Sequence, residues 1–559
     1  MGISFPLGKD DFYKIRQDGD YYVDKTGLIE ELLEESFEVK LITRPRRFGK
    51  TLTMTMLEDF FDISRDSRTD FAGLAICKKD DLCSNWMNQW PTVFLTLKSV
   101  NGKNFESAYG MFKSLIADIC EKYSFLEKSD RVDNDDKKRF QRLKSETADD
   151  TTEKNSLFLL TRMLYAHYGK PVILLIDEYD VPLAKADDSG YYDEMLEVIR
   201  TVFDKALKSN RFLKFAVITG CLKIVKESIF TGTNNFVSDS ITGGRFEEYI
   251  GFTEENVEQI LKDTHFLDHR EEIKNWYDGY HFGSMDVYCP WDVLNHVSAL
   301  LINPKSKPHS YWENTSHNNI IRRFIDRKDL WEKAHINDDF EVLLAGGSIV
   351  KPITENLTYD MVNSSADNLW SLLYLTGYLT MDSNRSLENG NMSSDSIALK
   401  IPNEEIHRLF KTTVLKWFED KVAASDRREL FHALWNQEEE KCSAILSEML
   451  FETISYNDYK EAYYHAFVTG ILSYAGYKVK SNAEAGEGRP DILLLDERNG
   501  KAIVIEIKVT NAFKAMEEKC EEALRQIDTR RYAKGLGDEY EEILKYGICF
   551  YKKRCRVKG

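Results

Sequence analysis

The stretch VKLITRPRRFGKTLTMTMLEDFF, residues 39–61, decides the fold of the N-terminal half of this chain. The apolar run VKLIT precedes a loop that ends in Gly49, Lys50 and Thr51, and a segment with helical spacing of apolar residues follows. Strand, loop and helix in this order are the setting of a phosphate-binding loop, where backbone N–H groups at a helix N-terminus hold phosphate oxygens. We therefore predict that Lys50 contacts the β- and γ-phosphates of ATP and that Thr51 holds Mg²⁺.

The match to the loop pattern GxxxxGK[ST] is incomplete, because Arg44 occupies the position of the first glycine. The entry turn must then differ, and Arg46 and Arg47 add positive charge beside the phosphates. Taken alone, the GKT triplet leaves a basic loop before a helix as an alternative. The predicted nucleotide-binding residues of the loop are Arg47, Phe48, Gly49, Lys50 and Thr51.

A second segment, PVILLIDEYD at 171–180, supplies the acidic partner of such a loop. Its apolar strand ends in Asp177, predicted to hold Mg²⁺ through water, and Glu178, predicted to orient or deprotonate the attacking water. The order and separation of the two segments favour nucleotide binding over coincidence. A later strand ends at Thr219, which either senses the γ-phosphate or caps a helix.

Short apolar runs alternate with helical patterns in the first half, which indicates a parallel α/β sheet. The predicted strands are residues 39–43, 92–97, 172–176 and 214–219. From about residue 251 the pattern becomes helical and rich in aromatic residues, so residues 251–345 are predicted to form a helical lid. Helix, hairpin and helix in residues 346–425 suggest a winged-helix-like unit.

The segment RPDILLLDERNGKAIVIEIKVT, residues 489–510, predicts a β-hairpin around Asn499 and Gly500. With a two-residue turn, Lys508 lies opposite Asp491. A register centred one residue earlier pairs Asp491 with Glu506 instead. Both registers place Asp491, Glu506 and Lys508 on one face, because side chains alternate along a strand.

Two carboxylates beside an amine suit Mg²⁺ or Mn²⁺ and the hydrolysis of a phosphodiester, with Lys508 orienting or deprotonating the water. Asp491, Glu506 and Lys508 are the predicted catalytic residues, and the spacing fits a surface salt bridge equally well. Glu461 or Glu484 could complete the metal shell, although solvated carboxylates are the ordinary case. Gln526, on the following helix, could meet a substrate phosphate.

Charge and cysteine content narrow the classes of protein. The formal charge is −18, with 75 Lys plus Arg against 93 Asp plus Glu, which disfavours indiscriminate coating of nucleic acid. Basic residues nevertheless cluster at the phosphate loop and near the C-terminus, at Lys552, Lys553, Arg554, Arg556 and Lys558. The 9 cysteines include no CxxC pair, which fits neither a zinc site nor a disulfide framework. The absence of a signal-like or long apolar segment predicts a cytoplasmic protein with no membrane partner.

The motifs together resemble a group of prokaryotic proteins in which an AAA-ATPase-like domain is fused to a C-terminal PD-(D/E)xK nuclease-superfamily domain. YYVDKTGLIEELL, RPRRFGKT, LLIDEYD, ITGCLKIVKESIFTGTNN, YIGFTEENV and WYDGYHFG carry the first resemblance. YYHAFVTGIL, SNAEAGEGRPDILLL, AIVIEIKV and the helix with Leu524, Gln526 and Tyr532 carry the second. The superfamily pattern falls on Pro490, Asp491, Glu506 and Lys508, with Glu461 at the helical acidic position.

The resemblance implies a P-loop NTPase sheet in an AAA-ATPase-like domain at 1–250 and a restriction-endonuclease-like α/β domain at 426–559. It implies an ATP-hydrolysing protein coupled to a Mg²⁺-dependent nuclease, with DNA favoured over RNA, in defence or mobile-element control. A nucleotide-switched regulatory protein with a non-cleaving nuclease-like domain remains the alternative. A homo-oligomer or a regulatory protein partner is left open.

Overall fold

The computed structural model describes residues 3–224, 236–312, 336–359, 361–383, 385, 396–413, 428–451, 461–472, 477–481, 489–532, 536–537 and 539–559. The chain forms two compact units. The first contains Met1–Asn314 and Val350–Ile406, and the second contains Thr315–Ile349 and His407–Gly559.

The first unit is built on a sheet of five parallel strands in the order β2-β3-β4-β1-β5. The strands are β1 (Val39–Thr43), β2 (Thr92–Thr96), β3 (Val172–Asp177), β4 (Leu213–Gly220) and β5 (Phe236–Asp239). Every residue of β1 and β3 is buried, which explains their nearly continuous apolar sequences. Strand β4 lies between β1 and β3, so the carboxyl ends of these three strands share one edge of the sheet.

Helices Lys50–Phe61, Ser156–Tyr168 and Tyr192–Leu207 pack against this sheet through buried apolar side chains. The longest helix of this part of the chain, Phe105–Lys122, is capped by Asn104, which accepts a hydrogen bond from the Ser107 N–H. The helices of this part of the chain are Phe12–Asp18, Gly27–Glu34, Lys50–Phe61, Arg68–Phe71, Ala75–Lys78, Asp80–Trp86, Phe105–Lys122, Ser124–Lys128, Asn134–Lys144, Asp150–Lys154, Ser156–Tyr168, Val181–Ser189 and Tyr192–Leu207.

The rest of the first unit is helical with two small sheets. A hairpin pairs β6 (Tyr280–Phe282) with β7 (Met285–Val287), and a three-stranded sheet has the order β8-β10-β9. The strands of that sheet are β8 (Ile349–Pro352), β9 (Thr380–Met381) and β10 (Ser396–Lys400). The helices are Glu254–Thr264, Leu267–His269, Arg270–Tyr277, Pro290–Ile302, Val362–Ser364 and Ala366–Leu375.

The second unit contains a mixed sheet in the order β11-β12-β13-β14-β15, in which only β13 and β14 are parallel. The strands are β11 (Lys478–Ser481), β12 (Ile492–Asp496), β13 (Lys501–Val509), β14 (Glu542–Tyr551) and β15 (Arg554–Lys558). The helices of this unit are Ile336–Leu344, Arg428–Trp435, Glu439–Phe451, Glu461–Leu472, Phe513–Ala515 and Met516–Thr529.

The structure confirms the predicted α/β fold class, with an N-terminal parallel sheet, a helical middle and a C-terminal sheet domain. It adds β5, and it shows that WYDGYHFG runs from a helix into a hairpin. The four-part domain division stays a prediction. In the structure, residues 350–406 belong to the same compact unit as the parallel sheet.

Among the described helices, none is long and apolar enough to span a membrane.

Candidate active sites

The first candidate site lies at the carboxyl edge of the parallel sheet, where the loop after β1 leads into the Lys50–Phe61 helix. Gly49 caps this helix with φ of 92°, a left-handed conformation that a β-carbon would strain. No side chain caps the helix N-terminus. The N–H groups of its first turn are therefore placed to bind an anion.

Asp177, at the end of β3, accepts hydrogen bonds from three threonine hydroxyls. Thr51 Oγ1 and Thr96 Oγ1 donate to Oδ2 at 2.8 and 3.1 Å, and Thr219 Oγ1 donates to Oδ1 at 2.6 Å. Burial and the charge of Glu178 raise the pKa of Asp177, while the hydroxyls oppose that shift. The structure thus joins the predicted Mg²⁺ residues Thr51 and Asp177 directly.

Lys50 is buried in the same place and bonds to the loop itself. Its Nζ donates to the carbonyls of Arg44 and Pro45 at 3.1 Å each and lies 3.5 Å from Glu178 Oε1. Burial lowers the pKa of Lys50, but Cys221 and the nearby carboxylates outweigh it, so the pKa stays above its ordinary value. A positive charge at the phosphate loop is therefore maintained at neutral pH.

Glu178 and Asp180 complete the acidic side of this site. Glu178 has φ of 54° and a buried Oε2 that no described donor reaches. Asp180 Oδ2 accepts hydrogen bonds from the N–H groups of Cys221 and Leu222, both at 3.0 Å, and from Tyr359 Oη at 3.2 Å. Strained backbone and unpaired buried oxygens are concentrated where sites bind ligands.

The loop arginines do not all face the phosphate position. Arg44 is fully buried and its Nη2 pairs with Asp239 Oδ2 at 2.6 Å, at the end of β5. Its Nη2 also donates to the carbonyl of Arg245 at 2.8 Å. The residue that replaces the first glycine of the pattern therefore joins the loop to the edge strand.

Arg47 and Phe48 also point their side chains into the protein. Arg47 Nη1 donates to the carbonyl of Tyr311 at 3.0 Å, and its guanidinium lies 5.2 Å from the ring centroid of Trp312. The Phe48 ring packs edge-on against Tyr280 at 5.0 Å. Both residues can offer a phosphate their backbone N–H groups, while their side chains hold the loop against the helical region.

Sequence reasoning missed Thr96, Asp180 and Asp239 and left Thr219 between two roles. Thr219 lies one residue before the end of β4 and its hydroxyl donates to Asp177, so it does not cap a helix. The carboxyl ends of neighbouring parallel strands meet at one edge. A threonine ending the run TVFLT was therefore the available signal for Thr96. The pairing of Arg44 with Asp239, 195 residues away, left no local signal.

The second candidate site lies on the hairpin formed by β12 and β13. The pairs run from Ile492 opposite Ile505 to Asp496 opposite Lys501, which places Asp491 opposite Glu506. The turn has four residues and not two, because the Asp496 side chain accepts hydrogen bonds from the N–H groups of Arg498 and Asn499, each at 3.2 Å. The register with a two-residue turn is therefore wrong, and the earlier-centred register is the observed one.

Glu506 is buried, and the two oxygens of its carboxylate differ. Lys508 Nζ donates to Oε1 at 3.2 Å, and Gln526 Nε2 donates to the same oxygen. No described group donates to Oε2. Burial, reinforced by the charge of Asp491, raises the pKa of Glu506 to about 7. Asp491 and Glu506 are thus held close together, and Glu506 resists ionisation.

Asp491 is held from two sides. Its Oδ2 accepts a hydrogen bond from the Ile507 N–H at 2.7 Å, and its backbone carbonyl lies 2.8 Å from His465 Nε2. His465 therefore supports Asp491 from the Glu461–Leu472 helix. Glu461 begins that helix, but its side chain lies outside the described residues, as does all of Glu484.

The carboxylate face of the hairpin is not a solvent-exposed surface. Ala502 and Val504 lie on the same face as Glu506 and pack with Ile527 and Tyr532 in an apolar cluster. The Met516–Thr529 helix covers this face and carries Gln526 to Glu506. A solvated surface salt bridge, the alternative interpretation of the spacing, does not describe this buried arrangement.

The donor set is compatible with a divalent cation but incomplete among the described side chains. An unpaired buried oxygen and a raised pKa are both relieved when a cation lies between two carboxylates. Within the described ranges, no three His, Cys, Asp or Glu side chains converge on one metal position. Asp491 and Glu506 would hold such an ion, together with water or a further carboxylate.

Comparisons with known proteins agree with this two-part organisation. Residues 6–230 match the family model described as "Predicted AAA-ATPase", and residues 459–559 match the model described as "PD-(D/E)XK nuclease superfamily". A protein of Azotobacter chroococcum mcd 1, described as "Uncharacterized protein in vnfD 5'region", is 24% identical over 565 residues. That match covers 99% of this chain and 98% of the relative. The chain therefore carries an AAA-ATPase-like domain followed by a PD-(D/E)XK nuclease-superfamily domain.

Proposed function

We propose that this protein binds and hydrolyses ATP and that its C-terminal domain is a nuclease that uses a divalent cation to cleave nucleic acid, with DNA favoured. The observation that carries the proposal is the arrangement of Asp491, Glu506 and Lys508 at one end of a sheet, with a buried carboxylate oxygen lacking a donor. Activity in prokaryotic defence or mobile-element control follows from resemblance alone.

At the first site, the proposed nucleotide is held by the helix N-terminus and by Lys50. Lys50 Nζ exchanges its bonds to the Arg44 and Pro45 carbonyls for phosphate oxygens. Thr51 and Asp177 would hold Mg²⁺, which neutralises charge that develops on the phosphates. The unpaired Oε2 of Glu178 accepts a hydrogen bond from the attacking water.

At the second site, Asp491 and Glu506 would hold Mg²⁺ or Mn²⁺, which supplies Lewis-acid stabilisation of the phosphodiester. Lys508 Nζ donates to a water aligned for in-line attack, moving from Glu506 Oε1. Gln526 Nε2 then holds Glu506 in its orientation or contacts a substrate phosphate. The covering helix excludes bulk water from one side, which strengthens these charge interactions.

Contacts within the first unit support control by nucleotide. Tyr359 Oη donates to Asp180, and a β-carbon on Gly377 would come within 2.9 Å of Pro45 Cβ in the phosphate loop. Both residues belong to the 350–406 segment, so a change in the loop on nucleotide binding is transmitted to that segment. We propose that this change regulates substrate entry to the nuclease domain.

Two assays on the full-length protein test the proposal. Calorimetric titration with a non-hydrolysable ATP analogue should show binding that Lys50→Ala weakens by about 100-fold, since a charge-assisted contact is lost. Lys79→Ala, which removes only a surface pair with Glu30, is the matched control. Labelled DNA and RNA with Mg²⁺ should be cut by the wild type and not by Asp491→Ala.

The alternative predicts a different combination of results. A nucleotide-switched protein with a non-cleaving domain would bind the ATP analogue through Lys50, while wild type and Asp491→Ala would be equally inert towards nucleic acid. The same inert result over varied single- and double-stranded substrates, with and without ATP, would contradict the nuclease assignment.

A further inference from the structure

One exposed aromatic side chain lies near the proposed nuclease site. Phe513 is 57% exposed, on a short turn that joins β13, which carries Lys508, to the helix that carries Gln526. Its ring lies 6.0 Å from that of Tyr551, and the guanidinium of Arg554 lies 5.9 Å from its centroid. Phe513 is therefore an exposed aromatic side chain with a cation over one face of its ring, and it lies between the strand that carries Lys508 and the helix that carries Gln526.

The turn between β14 and β15 adds two further cations. Lys552 and Lys553 form this turn, and within the described part of the chain no carboxylate oxygen lies within 4.0 Å of either ammonium. Arg556 and Lys558, on β15, differ from them. They pair with Glu517 at 3.7 and 2.7 Å. The positive charge available to a ligand is thus concentrated at the turn.

The turn lies at the catalytic end of the sheet. Strands β13 and β14 are parallel, and Lys508 is paired with Cys549. Lys552 is three residues beyond Cys549, or about 10 Å along the strand at 3.3 Å per residue. The Lys508 side chain and the basic turn therefore lie at the same edge, on neighbouring strands.

A single helix fixes both features. Tyr464 Oη donates to the backbone carbonyl of Lys552 at 2.8 Å, and its ring stacks on Phe550 at 4.3 Å. The adjacent residue, His465, contacts the carbonyl of Asp491 at 2.8 Å. Consecutive residues of the Glu461–Leu472 helix thus hold the basic turn and the catalytic aspartate in a defined spacing.

We propose that Phe513, Lys552, Lys553 and Arg554 form a docking surface for single-stranded nucleic acid, with one base stacked on Phe513 and adjoining phosphates at the basic turn. Stacking on an exposed ring needs the open face of an unpaired base, whereas bases inside a duplex are covered by their neighbours. Local cations hold the phosphates despite the acidic net charge. The inference rests on the proposed nucleic-acid substrate but does not require cleavage.

Fluorescence anisotropy with the full-length protein in EDTA tests this without cleavage. The probes are a labelled single-stranded DNA, the RNA of the same sequence, and the blunt DNA duplex. Wild type should bind at least one single strand more tightly than the duplex. Phe513→Ala should weaken single-strand binding roughly tenfold or more, and Phe513→Trp should retain it. Phe125→Ala, which removes an aromatic side chain 37% exposed in the first unit, should have no effect.

The salt dependence separates the two parts of the surface. Lys552→Gln/Lys553→Gln should reduce the slope of log affinity against log salt by about 0.7 for each lost phosphate contact, and Phe513→Ala should leave the slope unchanged. Arg556→Gln/Lys558→Gln is the matched control, because those charges are already paired with Glu517.

The inference would be overturned by duplex bound as tightly as the single strands, or by wild-type affinity in Phe513→Ala. Wild type that binds none of the three probes would also overturn it. Binding that depends on Phe513, without cleavage in Mg²⁺, would uphold this surface and contradict the proposed nuclease activity. Cleavage that is independent of Phe513 would support the proposed nuclease activity and contradict this docking surface.

Discussion

Asp177 at the end of β3 and Glu506 on β13 are both buried carboxylates, yet the protein treats them differently. Three threonine hydroxyls donate to Asp177, on both of its oxygens. Glu506 receives Lys508 and Gln526 on one oxygen and no described donor on the other. Asp177 is thus satisfied within the fold, whereas Glu506 retains an acceptor that a cation can satisfy.

This contrast predicts opposite effects of removing a charge in the two regions. The largest effect is expected for Arg44→Gly, which restores the glycine of the loop pattern but leaves Asp239 buried without its partner. Loss of one member of a buried ion pair costs about 3–5 kcal/mol. Hydrogen exchange of peptides covering β1 and β5 should report a decrease of that size in local stability.

A double variant provides the control for Arg44. Arg44→Gly/Asp239→Ala should recover part of the loss, because no unpaired charge remains buried. Unchanged protection in Arg44→Gly, accompanied by tighter ATP binding, would show that the consensus glycine is the better residue and that the ion pair is dispensable.

Glu506→Gln should instead increase the stability of the folded protein. The pKa of Glu506 is about 7 in the folded protein, above the ordinary 4.5 of the unfolded chain. Ionised Glu506 therefore weakens the folded state above pH 7. This destabilisation decreases as the pH falls from 7 towards 4.5, because Glu506 takes up a proton in the folded state at a higher pH than in the unfolded chain. In EDTA at pH 8, Glu506→Gln should stabilise the hairpin by about 1–2 kcal/mol, with the gain disappearing near pH 5.

Hydrogen exchange of β12 and β13 at several pH values measures this gain. Glu497→Gln is the control and should show little change. Glu497 is exposed in the turn of the same hairpin and pairs with Lys478 of β11. A destabilised Glu506→Gln at pH 8 would mean that Lys508 and Gln526 already compensate the carboxylate in full.

The smallest effect is expected for Thr96→Val, which removes one of the two hydroxyls that donate to Asp177 Oδ2. The loss should be about 1 kcal/mol, since Thr51 still donates to the same oxygen. Hydrogen exchange in the β3 peptide measures this loss. Thr201→Val is the control, because its hydroxyl donates to the Glu197 backbone carbonyl at an exposed position. A loss as large as that of Arg44→Gly would remove the distinction between shared and single partners.

The sequence predicted the parts of this fold that depend on local pattern. VKLIT and VILLI are strands because every side chain in them is buried, and the two apolar runs that flank Asn499 form the hairpin. The turn length was wrong because Asp496 uses its side chain to bond the turn N–H groups, an interaction that the apolar pattern does not encode.

The site residues also divide into those that a local sequence pattern predicts and those that depend on partners far along the chain. Lys50, Thr51, Asp177 and Glu178 were placed together because motif order and parallel strands fix that edge. The roles of loop arginines could not be predicted, since Arg44 pairs with Asp239 and Arg47 packs on Trp312, both far along the chain. Long-range partners decide whether a basic side chain is available to phosphate.

Titration calorimetry with Mn²⁺, on protein without nucleotide, tests whether Asp491 and Glu506 form a cation site. We expect Mn²⁺ to bind equally to wild type and Lys50→Ala, and we expect Glu506→Gln to lose that binding, because Asp491 and Glu506 together would hold the ion. Wild-type Mn²⁺ affinity in Glu506→Gln would contradict the assignment of a cation site to the β12–β13 hairpin.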